Sequence, residues 1–186
     1  MQRELTHLTP GFVTDHTRES FEQVMLPHLD AAYTLAFYLL RSEDAAQDAV
    51  QEAFLRAVRH FGGFRGENPR AWLLTIVRHC CATARTSRRR EVTFVEFDER
   101  QHSEHVESAT PELHLVRANA VDTFQRALDS LSHQDREVLI LREVEDLTYD
   151  EIALSIGAPI GTVMSRLSRA RKRMQAFVHR ESRDAS

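Results

Sequence analysis

The fold class predicted from the sequence is all-α: two small helical domains joined by a flexible acidic linker, the C-terminal one containing a helix-turn-helix. Three observations lead there. Apolar residues recur at helical spacing through residues 43–61 and again through 160–174. Six Gly and five Pro in 186 residues leave little material for a loop-rich β fold. Between the helical blocks, residues 91–112 carry seven acids (Glu91, Glu96, Asp98, Glu99, Glu104, Glu107 and Glu112) against one base, Arg100, and show no sustained period. Within that stretch Val92 to Phe97 alternates apolar and acidic residues, but a lone strand has no pairing partner, so it is read as coil. The expected layout is an N-terminal tail at 1–17, a first domain at 18–90, the linker at 91–117 and a second domain at 118–181.

In chain order, the first helix is expected from about Arg18 to Leu40, kinked at Pro27, with Phe21, Leu29, Tyr33, Ala36 and Phe37 as its apolar contacts. The second, Glu43 to Phe61, places Ala46, Ala49, Val50, Ala53, Phe54, Ala57, Val58 and Phe61 on one face. Its other side carries Asp44, Gln47, Asp48, Gln51 and Glu52, a mainly acidic stripe that suits either solvent or a basic partner. A Gly-rich loop follows through Phe61 and Phe64 to Glu67, and Asn68-Pro69 supplies the cap and first residue of a third helix. There Leu73, Ile76, Val77, Cys80 and Ala84 point one way. Arg70, Arg78, Arg85 and Arg89 lie on another side, by the ~100° per residue of an α-helix. From Arg78 to Arg90 there are five arginines and no acid. With Phe61, Phe64 and Trp72 nearby, this face suits single-stranded bases held by stacking, and core packing is the competing role for the aromatics.

Residues 148–173 hold the helix-turn-helix. Thr148 and Glu151 form a capping box that starts a short helix, and Ile152, Ala153 and Ile156 share its inner face. Gly157 can take the left-handed conformation that ends it, and Pro159 stands where the next helix begins. In that helix Val163, Leu167, Ala170 and Met174 form an inward stripe, leaving Thr162, Ser165, Arg166 and Arg169 on the opposite face. Ile160 to Arg173 contains five bases (Arg166, Arg169, Arg171, Lys172, Arg173) and no acid, in a chain of net charge −4. Such local basicity in an acidic chain points to phosphate contact.

Composition excludes other classes. At 42% hydrophobic and 28% charged the chain reads as a soluble protein. Its longest apolar stretch, about Ala31 to Leu40, falls short of the ~20 residues that span a bilayer, and no charged-then-apolar leader opens it, so the expected place is the cytoplasm without membrane insertion. Cys80 and Cys81 are adjacent, which suits neither an unstrained disulfide nor metal-ligand spacing, and they are expected to be small buried hydrophobes. No Walker-type phosphate loop is present, and no cofactor or metal is expected.

Four segments in order resemble a sigma factor of the sigma-70 family, of the small two-domain extracytoplasmic-function type. They are Asp48-Ala-Val-Gln-Glu-Ala-Phe-Leu-Arg-Ala, Arg70-Ala-Trp-Leu-Leu-Thr-Ile-Val-Arg, Leu131-Ser-His-Gln-Asp-Arg-Glu-Val-Leu and Gly161-Thr-Val-Met-Ser-Arg-Leu-Ser-Arg-Ala-Arg, and the resemblance covers about residues 20–180. It implies a non-enzymatic specificity subunit that directs core RNA polymerase to promoters, of a stress or environmental-response regulon. Asp48, Gln51, Glu52 and Phe54 would dock on the clamp helices of the largest polymerase subunit. Phe64, Arg65, Trp72, Arg78, Arg85 and Arg89 would recognise and help melt the minus-ten element. Thr162, Ser165, Arg166 and Arg169 would read the minus-thirty-five element, with Arg171 and Arg173 on phosphates. An anti-sigma factor is a further implied partner. One departure is His79-Cys80-Cys81, where the family often has Asn after Ile-Val-Arg. Two other classes compete: a stand-alone helix-turn-helix regulator, and a metal-dependent enzyme or sensor built on His102-Ser-Glu-His105, with His114 or the His79-Cys80-Cys81 cluster nearby.

Overall fold

The computed structural model describes residues 15–65, 68–92 and 122–184, and every regular element among them is helical. Helix α1 (Asp15–Met25) is followed by a 3₁₀ turn at Leu26–His28 and then by α2 (Leu29–Leu40). The single kinked helix expected from Arg18 to Leu40 is therefore two helices. Pro27 sits in the 3₁₀ turn, where its missing N–H costs least, and the tighter turn re-phases the next helix. The inward face of α2 becomes Ala32, Leu35, Ala36 and Leu39. Leu29, expected to be a core contact, is exposed for the same reason.

Helix α3 (Glu43–His60) starts at Ser42, whose side chain accepts from the Ala45 N–H. Ala46, Ala49, Val50, Ala53 and Ala57 are buried as the 3.6-residue period requires. Small residues on that face let α2 and α3 approach closely, and both pack on α4 (Pro69–Val92). Helix α4 is buried on a wider arc than one stripe: Leu73, Leu74, Val77, Cys80 and Cys81 are all buried, while Ile76 and Ala84 are only half-buried. Both cysteines are free thiols, and burial foremost pushes Cys81 up to about 12, so it stays protonated and apolar in character.

The C-terminal half comprises α5 (122–129), α6 (His133–Glu143), α7 (Tyr149–Ile156) and α8 (Ile160–Asp184). Helices α6 and α7 both pack on α8 through Val138, Ile140, Leu141, Ile152, Val163, Leu167 and Ala170. The buried apolar residues of the two halves form one continuous cluster, because α2 touches α6 and α4 touches α7. The expected linker and the histidines His102, His105 and His114 lie outside the described residues, apart from Glu91 and Val92 at the end of α4.

Candidate nucleic-acid interface

The helix-turn-helix is built as its residues dictate. Thr148 and Glu151 close the capping box in both directions, with the Thr148 N–H donating to Glu151 Oε2 at 2.8 Å and the Glu151 N–H donating to Thr148 Oγ1 at 3.3 Å. Gly157 takes φ 64°, the left-handed cap that lets the chain turn sharply into α8. Val163, Leu167 and Ala170 are buried, so helical geometry turns Ser165 and Arg169 outward, with Thr162 and Arg166 half-exposed beside them. Ser165 Oγ donates to the Thr162 carbonyl at 3.0 Å, and Arg169 reaches Asp135 at 3.1 Å while staying 55% exposed. Arg171 is held by Glu143 at 2.6 Å, and Arg173 is exposed. Met164 is 54% exposed on the same outer surface, which its apolar character disguised in the sequence. Its neighbour one turn on, the exposed polar Ser168, could have revealed it.

On α3 the acidic stripe faces water. Asp44, Gln47, Asp48 and Gln51 are exposed, and Glu52 pairs with Arg56 one turn on at 2.6 Å. Phe54 is half-buried, edge-to-face with Phe21 at 6.2 Å, so it supports this face from beneath. Leu55, 54% exposed, was missed from the sequence although offsets of seven from Asp48 and four from Gln51 put it on the same face.

The aromatic loop is closed on itself. Phe61 and Phe64 stack at 6.0 Å and 11°, Phe64 meets Trp72 at 5.2 Å, and Phe61 meets Phe21 edge-on at 5.3 Å. Arg65 is exposed next to this group.

The basic face of α4 has a different setting. Arg78 donates from Nε to Glu137 at 2.8 Å and from Nη1 to the Ser155 carbonyl at 3.0 Å. Arg70 donates to Glu145 at 2.6 Å. Both carboxylates belong to the C-terminal half and are buried. Arg70 and Arg78 lie on the expected basic side of α4, at its contact with the second half. Helical phase placed them correctly, and docking of the second half covers them. Arg85 remains exposed, and the side chain of Arg89 lies outside the described residues. Burial pushes the Glu145 carboxyl up, with Arg70 pulling it back. His28 and His79 are both held below the ordinary imidazole range, by burial first and then by Arg70 and Arg78 respectively.

An exposed, basic helix-turn-helix beside an arginine-bearing helix in an all-α chain is the arrangement of a DNA-binding protein. The profile described as Sigma-70 region 2 matches residues 25–91, and that described as Sigma-70, region 4 matches residues 122–174. The ECF RNA polymerase sigma factor EcfG of Rhodopseudomonas palustris is 31% identical, over 87% of this chain and 86% of the relative. The RNA polymerase sigma-H factor of Pseudomonas aeruginosa is 33% identical, over 83% and 84%. Among solved structures, the sigma factor RpoE from Bartonella quintana, crystallised with the anti-sigma factor NepR, superposes with a TM-score of 0.73 at 32% identity, covering 87% of this chain and 98% of that one. The chain belongs to the sigma-70 family of RNA polymerase sigma factors, within its extracytoplasmic-function group. It is accordingly a transcription-initiation factor of RNA polymerase, and its family is not one of enzymes.

Proposed function

We propose that this chain acts through three surfaces as a promoter-selecting subunit of a stress or environmental-response regulon in the cytoplasm, with no catalytic step of its own. Asp48, Gln51 and Glu52, supported by Phe54 and joined by Leu55, dock on the polymerase clamp helices. The observation that carries this surface is an exposed leucine set among exposed acids on one helical face, an apolar anchor with a charged rim. Phe64, Arg65, Trp72, Arg78, Arg85 and Arg89 engage the minus-ten element, where stacking on rings and phosphate contacts offset the cost of unpairing bases.

Thr162, Ser165, Arg166 and Arg169 read the minus-thirty-five element in the major groove, with Arg171 and Arg173 on phosphates. The working units are residues 18–90 and 118–181, joined through 91–117, so that two modest DNA contacts add on one promoter. By analogy with the RpoE complex, an anti-sigma factor is a natural partner.

The test is transcription from a library of randomised promoters by bacterial core polymerase, with and without the protein. A start-site class that depends on the protein and vanishes with Asp48→Lys/Glu52→Lys, in a variant whose helical content is unchanged, supports this reading. Tight binding of a duplex by the protein alone, without new initiation, overturns it in favour of a stand-alone helix-turn-helix regulator.

A further inference from the structure

We infer that Asp135 is a positioning residue for base recognition: its buried carboxylate fixes Arg169 so that this arginine reads a guanine in the duplex bound by α8 rather than a phosphate. This rests on the assignment of α8 to the minus-thirty-five element proposed above. The pair is lopsided. Arg169 Nη2 donates to Asp135 Oδ1 at 3.1 Å, with the arginine side chain 55% exposed and the aspartate side chain 5%. The two residues lie 34 apart in the chain, one on α8 and the other in the first turn of α6. Helix capping does not account for the acid. Ser132 caps α6 and accepts from the Asp135 N–H at 3.2 Å, so Asp135 stands where Glu151 stands in α7, and there Glu151 turns back to accept from the Thr148 N–H at 2.8 Å. Asp135 turns its carboxylate onto α8 instead. Adhesion between helices does not account for it either, because a buried carboxylate is costly even when paired and an apolar side chain would hold α6 on α8 as well or better.

What the pair supplies is aim. Arg169 shares the outer face of α8 with Ser165, one turn before it, and a helical side chain leans toward the N-terminal turn, the end of a recognition helix that meets base edges. A long arginine loses rotamer freedom on contact, and anchoring it beforehand removes much of that cost at binding. The bond from Nη2 leaves the other guanidinium donors for a two-pronged contact. Charge then selects the ligand. A carboxylate held in place repels a phosphate brought to the same guanidinium, whereas the O6 and N7 acceptors of guanine are neutral, and an arginine across both is the commonest base-specific contact. Arg171 is the opposite case. Its acid, Glu143, is 48% exposed, so water screens the pair and the arginine can exchange it for a phosphate.

The experiment reads base preference position by position. Holoenzyme assembled from the full chain and bacterial core polymerase transcribes a promoter library randomised across the minus-thirty-five window, and the full chain alone selects the same window as free duplex. The wild type is expected to prefer guanine at one position, and Arg169→Ala to lose that preference. Asp135→Leu is expected to weaken it about tenfold there, to leave the preferences at other positions unchanged, and to keep or raise the thermal midpoint. Asp135→Asn, which keeps an acceptor oxygen and loses the charge, should fall between the two.

An equal change at every position in Asp135→Leu, or none at all, overturns the inference, because an acid with a purely structural role acts through stability alone. So does a preference for another base at the position that Arg169→Ala abolishes. If Arg169→Ala alters no base preference while protein-dependent initiation persists, the Asp135 role fails and the promoter-selecting role stands. If initiation never appears, the promoter-selecting role fails, and the duplex selection decides for or against Asp135 by the same positional criterion. Should Asp135→Leu misfold by circular dichroism, Asp135→Asn must lower the guanine preference at that one position. An unchanged preference there overturns the role of Asp135.

Discussion

Helices α4 and α8 both carry a cluster of arginines, yet the structure treats the two clusters in different ways. On α8, Arg169 and Arg171 lean on acids of their own half, Asp135 and Glu143, and remain about half exposed at 55% and 49%. On α4, Arg78 and Arg70 are turned onto buried acids of the other half, with 17% and 34% exposure. Local ion pairs brace a surface that stays presented, whereas pairs across the two halves store it. A charge run in a sequence therefore finds a basic face without saying whether it is offered or covered.

The harshest way to break the comparison is to dismantle one of its sides. Leu167→Ala removes a buried side chain from the inner stripe of α8 and is expected to cost about 2–5 kcal/mol, read as a lowered thermal midpoint with loss of duplex binding.

A sharper contrast comes from single arginines. Arg166→Ala is expected to weaken promoter-duplex affinity by about 1–3 kcal/mol with little change in thermal stability, measured by fluorescence anisotropy. Arg78→Ala leaves Glu137 buried without its partner, so the expected signature is a lowered thermal midpoint, equivalent to about 3–5 kcal/mol.

Smaller effects come from the elements that aim α8. Gly157→Ala meets no atom within 4 Å, so its cost is the backbone term alone, about 1–2 kcal/mol for a left-handed non-glycine residue. Thr148→Ala opens the capping box and is expected to cost about 1 kcal/mol by denaturant titration.

The mildest probe is pH. His28 and His79 have folded-state values below their unfolded ones, so stability from their neutral forms is present above the ordinary imidazole range and is lost as pH falls through it. Unfolding free energy should decline from about pH 7 to 5, and replacing both by Asn should flatten that slope. An unchanged slope in the double variant would place the proton uptake elsewhere.

Much of the fold was legible in the residues. The capping box at Thr148–Glu151, the Gly157 cap, the α3 core face and the inner stripe of α8 are local features, and each appears where the spacing puts it. Where the sequence misled, the cause was non-local. The phase of α2 depends on a 3₁₀ turn at Pro27 that a simple kink does not reproduce, so Leu29 turned outward. Leu55 and Met164 were left off both the inner and the outer faces, although their neighbours on the helix surface are polar. Glu137 opens the run Glu137-Val-Leu-Ile-Leu, and an acid leading a buried segment was the one available hint that it had a charged partner.

The sequence by itself determined the family, most of the helices and the apolar sides of α3, α7 and α8, because capping, periodicity and motif spacing act within a few turns of chain. Only the tertiary structure decided that Arg70 and Arg78 face Glu145 and Glu137, at separations of 75 and 59 residues. Which charges meet across such separations depends on how whole helices dock, and docking follows the shape and burial of the apolar faces rather than any local pattern of charge.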